Sequence, residues 1–285
     1  MSEIAFNLLD EPWIRLMGED CAVRECTLPQ ALLESHRYRR LAGELPTQNV
    51  AILRLLLAVL HTVFYRVDLD GEEDPIEEPT QALQRWQRLW KAGCFPEAPI
   101  RNYLNEWKER FWLFHPEHPF FQVPSAAAGT QYTAAKLNGE LSESSNKVRL
   151  FPVRAGQDKD GLSYAEAARW LVNLNGFDDT SAKPKGKGLP SPGAGWLGKL
   201  GLVYVEGKTL FETLMLNLTL LKDGRQLWEE PAPVWELDKP REAERTEIAM
   251  PNNQAELLTL QSRRLLLIRE NAQVVGYALL GGDFF

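Results

Sequence analysis

The stretch that follows Pro46 limits most tightly what this chain can fold into. Val50, Leu53, Leu57, Leu60 and Phe64 recur there at helical spacing, and Thr47 stands where it can cap the first turn. Apolar side chains cover most faces of that helix rather than one stripe, so it is stable only if other elements wrap it. The longest unbroken apolar run, Leu55 to Leu60, is too short to span a bilayer, and no membrane partner is expected. With 285 residues, 44% of them hydrophobic and 25% charged, the chain has material for such a wrapping and the composition of a soluble globular protein.

The wrapping can be read in chain order. Phe6 to Met17, FNLLDEPWIRLM, enters a short strand from the turn at Asp10-Glu11-Pro12, and Leu28 to Leu41 reads as a helix. Asp68 to Pro79, DLDGEEDPIEEP, is acidic and carries two prolines, so it reads as an exposed loop; its calcium-loop likeness lacks the ligand spacing and the closing glutamate. Ala82 to Lys91, stopped by Gly93, and Ile100 to Phe114 read as helices that send Trp86, Trp90, Trp107 and Trp112 into the core. Tyr164 to Asn175 is a helix capped by Ser163 and ended by Gly176, and Thr209 to Leu221 is an apolar segment of helical character. Trp228 to Arg245 is proline-rich and extended. Glu256 to Ile268 and Val274 to Leu280, split by a turn at Glu270 to Ala272, have hairpin spacing. Strand–helix alternation is absent, so the pattern predicts an irregular α+β domain: helices within about 28–114, 163–175 and 209–221, and antiparallel strands near the N-terminus and after 200.

Three cysteines, Cys21, Cys26 and Cys94, make no CxxC pair, which fits a reducing compartment, and the N-terminus lacks the basic and apolar regions of a secretory signal; a cytoplasmic protein is expected. His115 and His118 in HPEHPFFQV stand three apart, but the prolines at 116 and 119 break the helix that would aim both at one metal; no metal site and no cofactor are implied. Packing of Phe120 and Phe121 is the role assigned to this segment.

Two segments carry the chemistry. Ser181 to Gly201, SAKPKGKGLPSPGAGWLGKLG, holds four lysines, six glycines, three prolines and no acidic residue in a chain of net charge -7. Glycine permits close backbone approach, proline stiffens, and lysine supplies point charges for phosphate, a combination suited to a polyanion. The same composition fits a solvated surface loop. Lys136 to Val153, KLNGELSESSNKVRLFPV, brings Lys147, Arg149 and Phe151 together on a polar backbone, a mixture that can hold single-stranded nucleic acid or simply lead into a strand.

In order along the chain, FNLLDEPWIRL, HPEHPFFQV, KLNGELSESSNKVRLF, the Lys/Gly stretch, LMLNLTLL and LTLQSRRLLLIRENAQVVGYALLGGDFF resemble the large subunit of the type I-E CRISPR Cascade complex, the CasA family. Leu260 stands where that family often has tryptophan. The resemblance covers residues 1–285 and the N-terminal part of the family's length, an incomplete N-terminal domain. The family's wedge hairpin and C-terminal helical bundle are not visible in these residues and are expected beyond Phe285, and Asn252-Asn253-Gln254 reads as a turn rather than the wedge. The resemblance implies a non-enzymatic subunit of a crRNA-guided antiviral surveillance complex. That subunit helps recognise the protospacer-adjacent motif (PAM) in double-stranded target DNA, promotes strand opening and docks the helicase-nuclease; base pairing reads the rest of the target. Its partners would be crRNA, target DNA, the other Cascade subunits and the helicase-nuclease.

Carried over by position, the family's motif-reading loop falls on Lys183, Lys185, Gly186, Lys187 and Gly188, and its RNA-facing loop on Phe151, with Lys147 and Arg149 beside it. Two other classes remain open on the residues alone. One is an enzyme that holds a nucleotide phosphate, against which SAKPKGKG lacks the GxxxxGK[ST] order. The other is a protein-binding scaffold with a basic loop. The last hairpin predicts an exposed apolar surface from Leu257 to Leu280 that would limit solubility.

Overall fold

The computed structural model of the protein describes residues 3–139, 154, 160–178, 194–242 and 250–283. The first elements are short because turn-forming and charged residues interrupt every apolar run. Strand β1 (Ala5–Asn7) ends in a turn closed by Asn7, whose side-chain oxygen accepts from the Leu9 N–H and whose amide donates to the Lys108 carbonyl. Strand β2 (Ile14–Gly18) pairs antiparallel with β3 (Val23–Cys26). Helix α1 (Leu28–Leu33) follows, capped by the Thr27 hydroxyl, and then strand β4 (Tyr38–Leu41), which completes a sheet ordered β3-β2-β4. The helix expected from Leu28 to Leu41 therefore stops at Leu33. Beyond a single 3-10 turn, a strand lets Leu41 bury itself opposite Leu16 while Arg39 and Arg40 stay in water.

Helix α2 (Pro46–Arg66) is the axis, buried on every face from Ala51 to Phe64. Pro46 fills its first turn and Leu45 is the N-cap residue with no side-chain bond, so Thr47 lies inside the helix and does not cap it; proline needs no hydrogen-bond partner at that position. By length and composition alone this helix could cross a membrane, but here protein surrounds it. Helix α3 (Pro79–Ala92) begins in a Glu78–Gln81 capping box and ends at Gly93 with φ of 71°. Helix α4 (Glu97–Glu106) is shorter than its apolar pattern predicts: the chain leaves through a 3-10 turn into strand β5 (Trp112–Phe114), which pairs with β1. None of the four tryptophans of this region is fully buried, although Trp86 and Trp107 pack against the main core. Trp86, Trp107 and Trp112 are half-buried and Trp90 is exposed, because Ala82, Arg85 and Leu89 take the inner face of α3. Trp13, Trp170, Trp196 and Trp235 are the buried ones.

Strand β6 (Thr130–Thr133) and helix α5 (Ala134–Leu137) precede helix α6 (Tyr164–Phe177), which Ser163 and Glu166 cap reciprocally as expected. Gly176 is not its stop. It lies inside the helix, where a side chain would strike Arg54 and Leu197, and Asp178 ends the helix instead. Helices α7 (Trp196–Leu200) and α8 (Leu210–Asn217) lead to the small hairpin of β7 (Leu221–Lys222) and β8 (Gln226–Leu227). The proline-rich connection that follows is extended apart from one 3-10 turn, and Glu236 holds it to Arg66 at 2.8 Å and to Tyr103 at 2.6 Å.

Helix α9 (Gln254–Thr259), capped by Asn253, precedes strands β9 (Arg263–Glu270) and β10 (Gln273–Gly281), so the first of the two expected strands begins later than its apolar run. Sheet order is β6-β10-β9. The apolar residues expected to be exposed here are buried or half-buried: Leu258, Leu265, Val274, Tyr277 and Leu279 all belong to the main core. The outer edge of β9 is covered by the loop before β6, where the Val123 N–H donates to the Leu265 carbonyl and the Leu267 N–H to the Gln122 side chain. Helices α4, α6, α8 and α9 pack around α2 and supply the wrapping that its sequence demands.

Candidate nucleic-acid interface

Lys183, Lys185, Gly186, Lys187 and Gly188 lie outside the described residues, as do Lys147, Arg149 and Phe151. What the structure does place are the roots of both segments. The Lys/Gly stretch leaves α6 at Asp178 and returns at Gly195, and these two feet touch: the Gly195 N–H donates to the Asp178 carbonyl at 2.7 Å. A Cβ at 195 would sit 2.3 Å from the Gly176 carbonyl oxygen, so only glycine lets the returning chain come this close.

The feet are pinned by the four residues Gln261 to Arg264. The Ser262 hydroxyl accepts from the Trp196 N–H at 3.1 Å, and the Ser262 N–H donates to the Asn175 carbonyl. Arg263 reaches the Asp178 carboxylate at 2.6 Å through Nε and its carbonyl at 3.1 Å through Nη2, with both side chains almost fully buried. Arg264 pairs with Asp283 at 2.8 Å, equally buried, and Asp283 exchanges backbone and side-chain bonds with Gln261. Removing one member of a buried pair leaves an uncompensated charge and costs about 3–5 kcal/mol, so the root holds only while both pairs are intact.

Beneath it lies Arg54 of α2, fully buried. Its Nε and Nη2 donate to the Leu258 and Leu260 carbonyls, and its guanidinium stands 5.0 Å from the centre of the Trp196 ring. Burial without a carboxylate pushes its pKa down to about 9, so it remains a cation at neutral pH. Sequence reasoning assigned no role to Arg54, Asp178, Gly195 or Asp283. The available signal was the two arginines at the head of an otherwise apolar strand, since buried cations require partners elsewhere in the chain.

The second segment leaves α5 through Gly139, at φ of 73°, and is fixed downstream by Arg154. That guanidinium donates to Glu44 at 3.0 Å and to Glu166 at 2.9 Å. Burial works against its charge, but the bonds and charges of Glu44 and Glu166 more than offset this and raise its pKa. Glu166 is held below the usual carboxylate value: burial acts to raise it, and the Ser163 N–H and hydroxyl together with Arg154 prevail. One turn further, Arg169 donates to the Trp13 carbonyl and to Glu25. The Lys/Gly stretch therefore leaves the C-terminal end of α6, while Arg154 ties the second segment to Glu166 in its first turn and Arg169 stitches the Trp13 turn to the same helix.

His115 and His118 take no part in this arrangement. The His115 ring nitrogen accepts the Glu117 and His118 N–H groups to close a turn, and Phe120 and Phe121 pack in the core.

The fold thus defines an α+β domain whose buried charges hold together the two ends of a basic sequence segment. The family model for CRISPR-associated protein Cse1 matches residues 7–283, and the chain belongs to that family. It is 34% identical over 232 residues to the CRISPR-associated protein CasA/Cse1 of Thermus thermophilus, covering 81% of this chain and 42% of that protein. Among solved structures, Thermobifida fusca Cse1 superposes with a TM-score of 0.75 at 32% identity, over 98% of this chain and 52% of that one. Thermus thermophilus CasA (Cse1) gives 0.69 at 28%, over 99% and 54%. A chain of a CRISPR RNA-guided surveillance complex shares the fold, with a TM-score of 0.77 at 22% identity over 98% of this chain and 56% of that one. The chain spans about half the length of these relatives.

Proposed function

We propose that this chain acts as the N-terminal portion of the large subunit of a crRNA-guided Cascade surveillance complex in the cytoplasm, binding nucleic acid without chemistry of its own. Lys183, Lys185 and Lys187, with Gly186 and Gly188 allowing close approach, contact double-stranded target DNA at the PAM and help begin strand opening. Lys147, Arg149 and Phe151 contact the crRNA or the subunit beside it, and the assembled surface recruits the helicase-nuclease. The observation that carries this reading is the closed root of the Lys/Gly stretch. Asp178 and Gly195 are bonded to each other and tied to Arg263, an investment of buried charge that a merely solubilising loop does not need.

The test is duplex-DNA binding by the assembled crRNA complex at two salt concentrations, with Lys183, Lys185 and Lys187 unchanged or replaced by alanine. Each phosphate contact contributes about 0.9 to the slope of log affinity against log salt, so the triple variant loses motif-dependent binding and up to about three units of slope. Unchanged binding and slope would place motif recognition elsewhere.

A further inference from the structure

Between α7 and α8 the chain runs through Gly201-Leu202-Val203-Tyr204-Val205-Glu206, in no helix and no sheet. Its side chains alternate as in a strand. Leu202, Tyr204 and Glu206 line a cleft, while Val203 and Val205 point into water, at 97% and 52% exposure. The backbone is half satisfied. The Val205 N–H and carbonyl are both bonded to the Asn217 side chain, at 2.9 and 2.7 Å, whereas Leu202, Val203 and Tyr204 make no backbone hydrogen bond among the described residues. An apolar, β-branched segment with side chains alternating between cleft and water, and with its backbone groups unbonded from Leu202 to Tyr204, is an edge to which another strand adds.

The cleft beside it has a volume of about 730 Å³. Its floor is apolar, from Leu41, Val50, Leu53 and Leu210, and the facing wall is the outer face of the N-terminal sheet, where Arg15 and Arg40 flank Met17. Neither arginine has an ion-pair partner among the described residues. Of the two acids that line the cleft, Glu44 has its oxygens turned to Arg154 and Arg169, and Glu206 makes no ion pair among the described residues. Two uncompensated cations over an apolar floor select an occupant with both a large apolar side chain and a carboxylate. Val203 and Val205 offer nothing to a phosphate backbone, so a polypeptide fits this surface better than a nucleic acid.

We infer that Leu202 to Glu206 is a docking strand. An extended segment of another protein subunit, apolar and carrying at least one Asp or Glu, pairs with it and sets its carboxylate on Arg15 or Arg40. This rests on the reading that the chain works inside a multi-subunit complex. It adds a specific protein contact to the nucleic-acid contacts assigned to the lysines at 183–187.

The test uses the assembled crRNA complex without DNA. A benzoylphenylalanine photocrosslinker in place of Tyr204 is expected to capture another subunit at a segment containing Asp or Glu. Tyr204→Glu and Arg40→Glu, both at accessible positions, weaken association of this chain with the other subunits by about tenfold or more, while Tyr204→Phe does not. Thermal unfolding of each variant checks that the fold is retained, and the crosslink reads the contact in the otherwise unchanged chain. Capture of crRNA, of this same chain or of a second copy overturns the inference, as does undiminished association of the charge variants. A wild-type chain that joins no subunit overturns both this inference and the function proposed above. Absence of motif-dependent DNA binding by the wild-type complex, with association intact, counts against the latter alone.

Discussion

His61 shows how a single residue sets a pH limit on this fold. It sits in α2, almost fully buried, with its Nε2 lacking a hydrogen-bond partner, and burial pushes its pKa down to about 3. The unfolded chain takes up this proton near pH 6.5 and the folded chain does not until about 3. The unfolded state therefore binds more protons between those values, and acid favours it. The neutral imidazole's contribution is complete above the unfolded value and is lost as the pH falls, by up to about 1.4 kcal/mol per pH unit. His61→Met fills a similar volume without a titrating group. Denaturant unfolding of both chains at about pH 7, 6 and 5.5 should show the wild type losing ground to the variant as acid is added; a constant difference would mean that His61 titrates alike in the folded and unfolded chain. The apolar spacing around His61 announced a buried helix, but a lone histidine in such a run does not disclose whether it finds a partner. That depends on which elements pack against it.

Elements were legible where the local chemistry was self-sufficient. The Ser163–Glu166 capping box marks the start of α6 in the sequence, and the Glu270 to Ala272 turn marks the final hairpin. They were misread where tertiary pairing overrode a local pattern: Tyr38–Leu41 became a strand because β2 offered Leu41 a buried place, and Trp112–Phe114 because β1 lay alongside. The hairpin turn itself carries a local cost. Asn271 and Ala272 both have positive φ, 49° and 62°, as a two-residue turn of matching twist requires, and alanine adopts that conformation less readily than asparagine or glycine. Ala272→Gly should raise stability by about 0.5–1 kcal/mol, read as a shift in the denaturant midpoint with an unchanged slope. A drop in the midpoint would mean that the Ala272 methyl makes a contact worth more than the strain it causes.

At the scale of the molecule, the wrapped helix α2, the capping of α6 and the late hairpin converge on the root formed by Asp178 and Gly195. Arg54 comes up from α2, Arg263 from β9 and Trp196 from α7, and each is nearly inaccessible to solvent. From the sequence alone the basic stretch was visible by composition, whereas its anchorage was not, because the pairing of Arg263 with Asp178 spans 85 positions and no local pattern reports it. The central claim is that this root positions the lysines for DNA. The most direct measurement is a double-mutant cycle on duplex binding by the assembled crRNA complex, comparing wild type, Asp178→Asn, the Lys183/Lys185/Lys187 triple alanine variant and their combination. It is run at a temperature where unfolding shows every variant to be folded. The account predicts that Asp178→Asn alone lowers motif-dependent affinity about tenfold or more, and that in the lysine-free background it costs nothing further. Wild-type affinity for Asp178→Asn, or two losses that simply add, would contradict it.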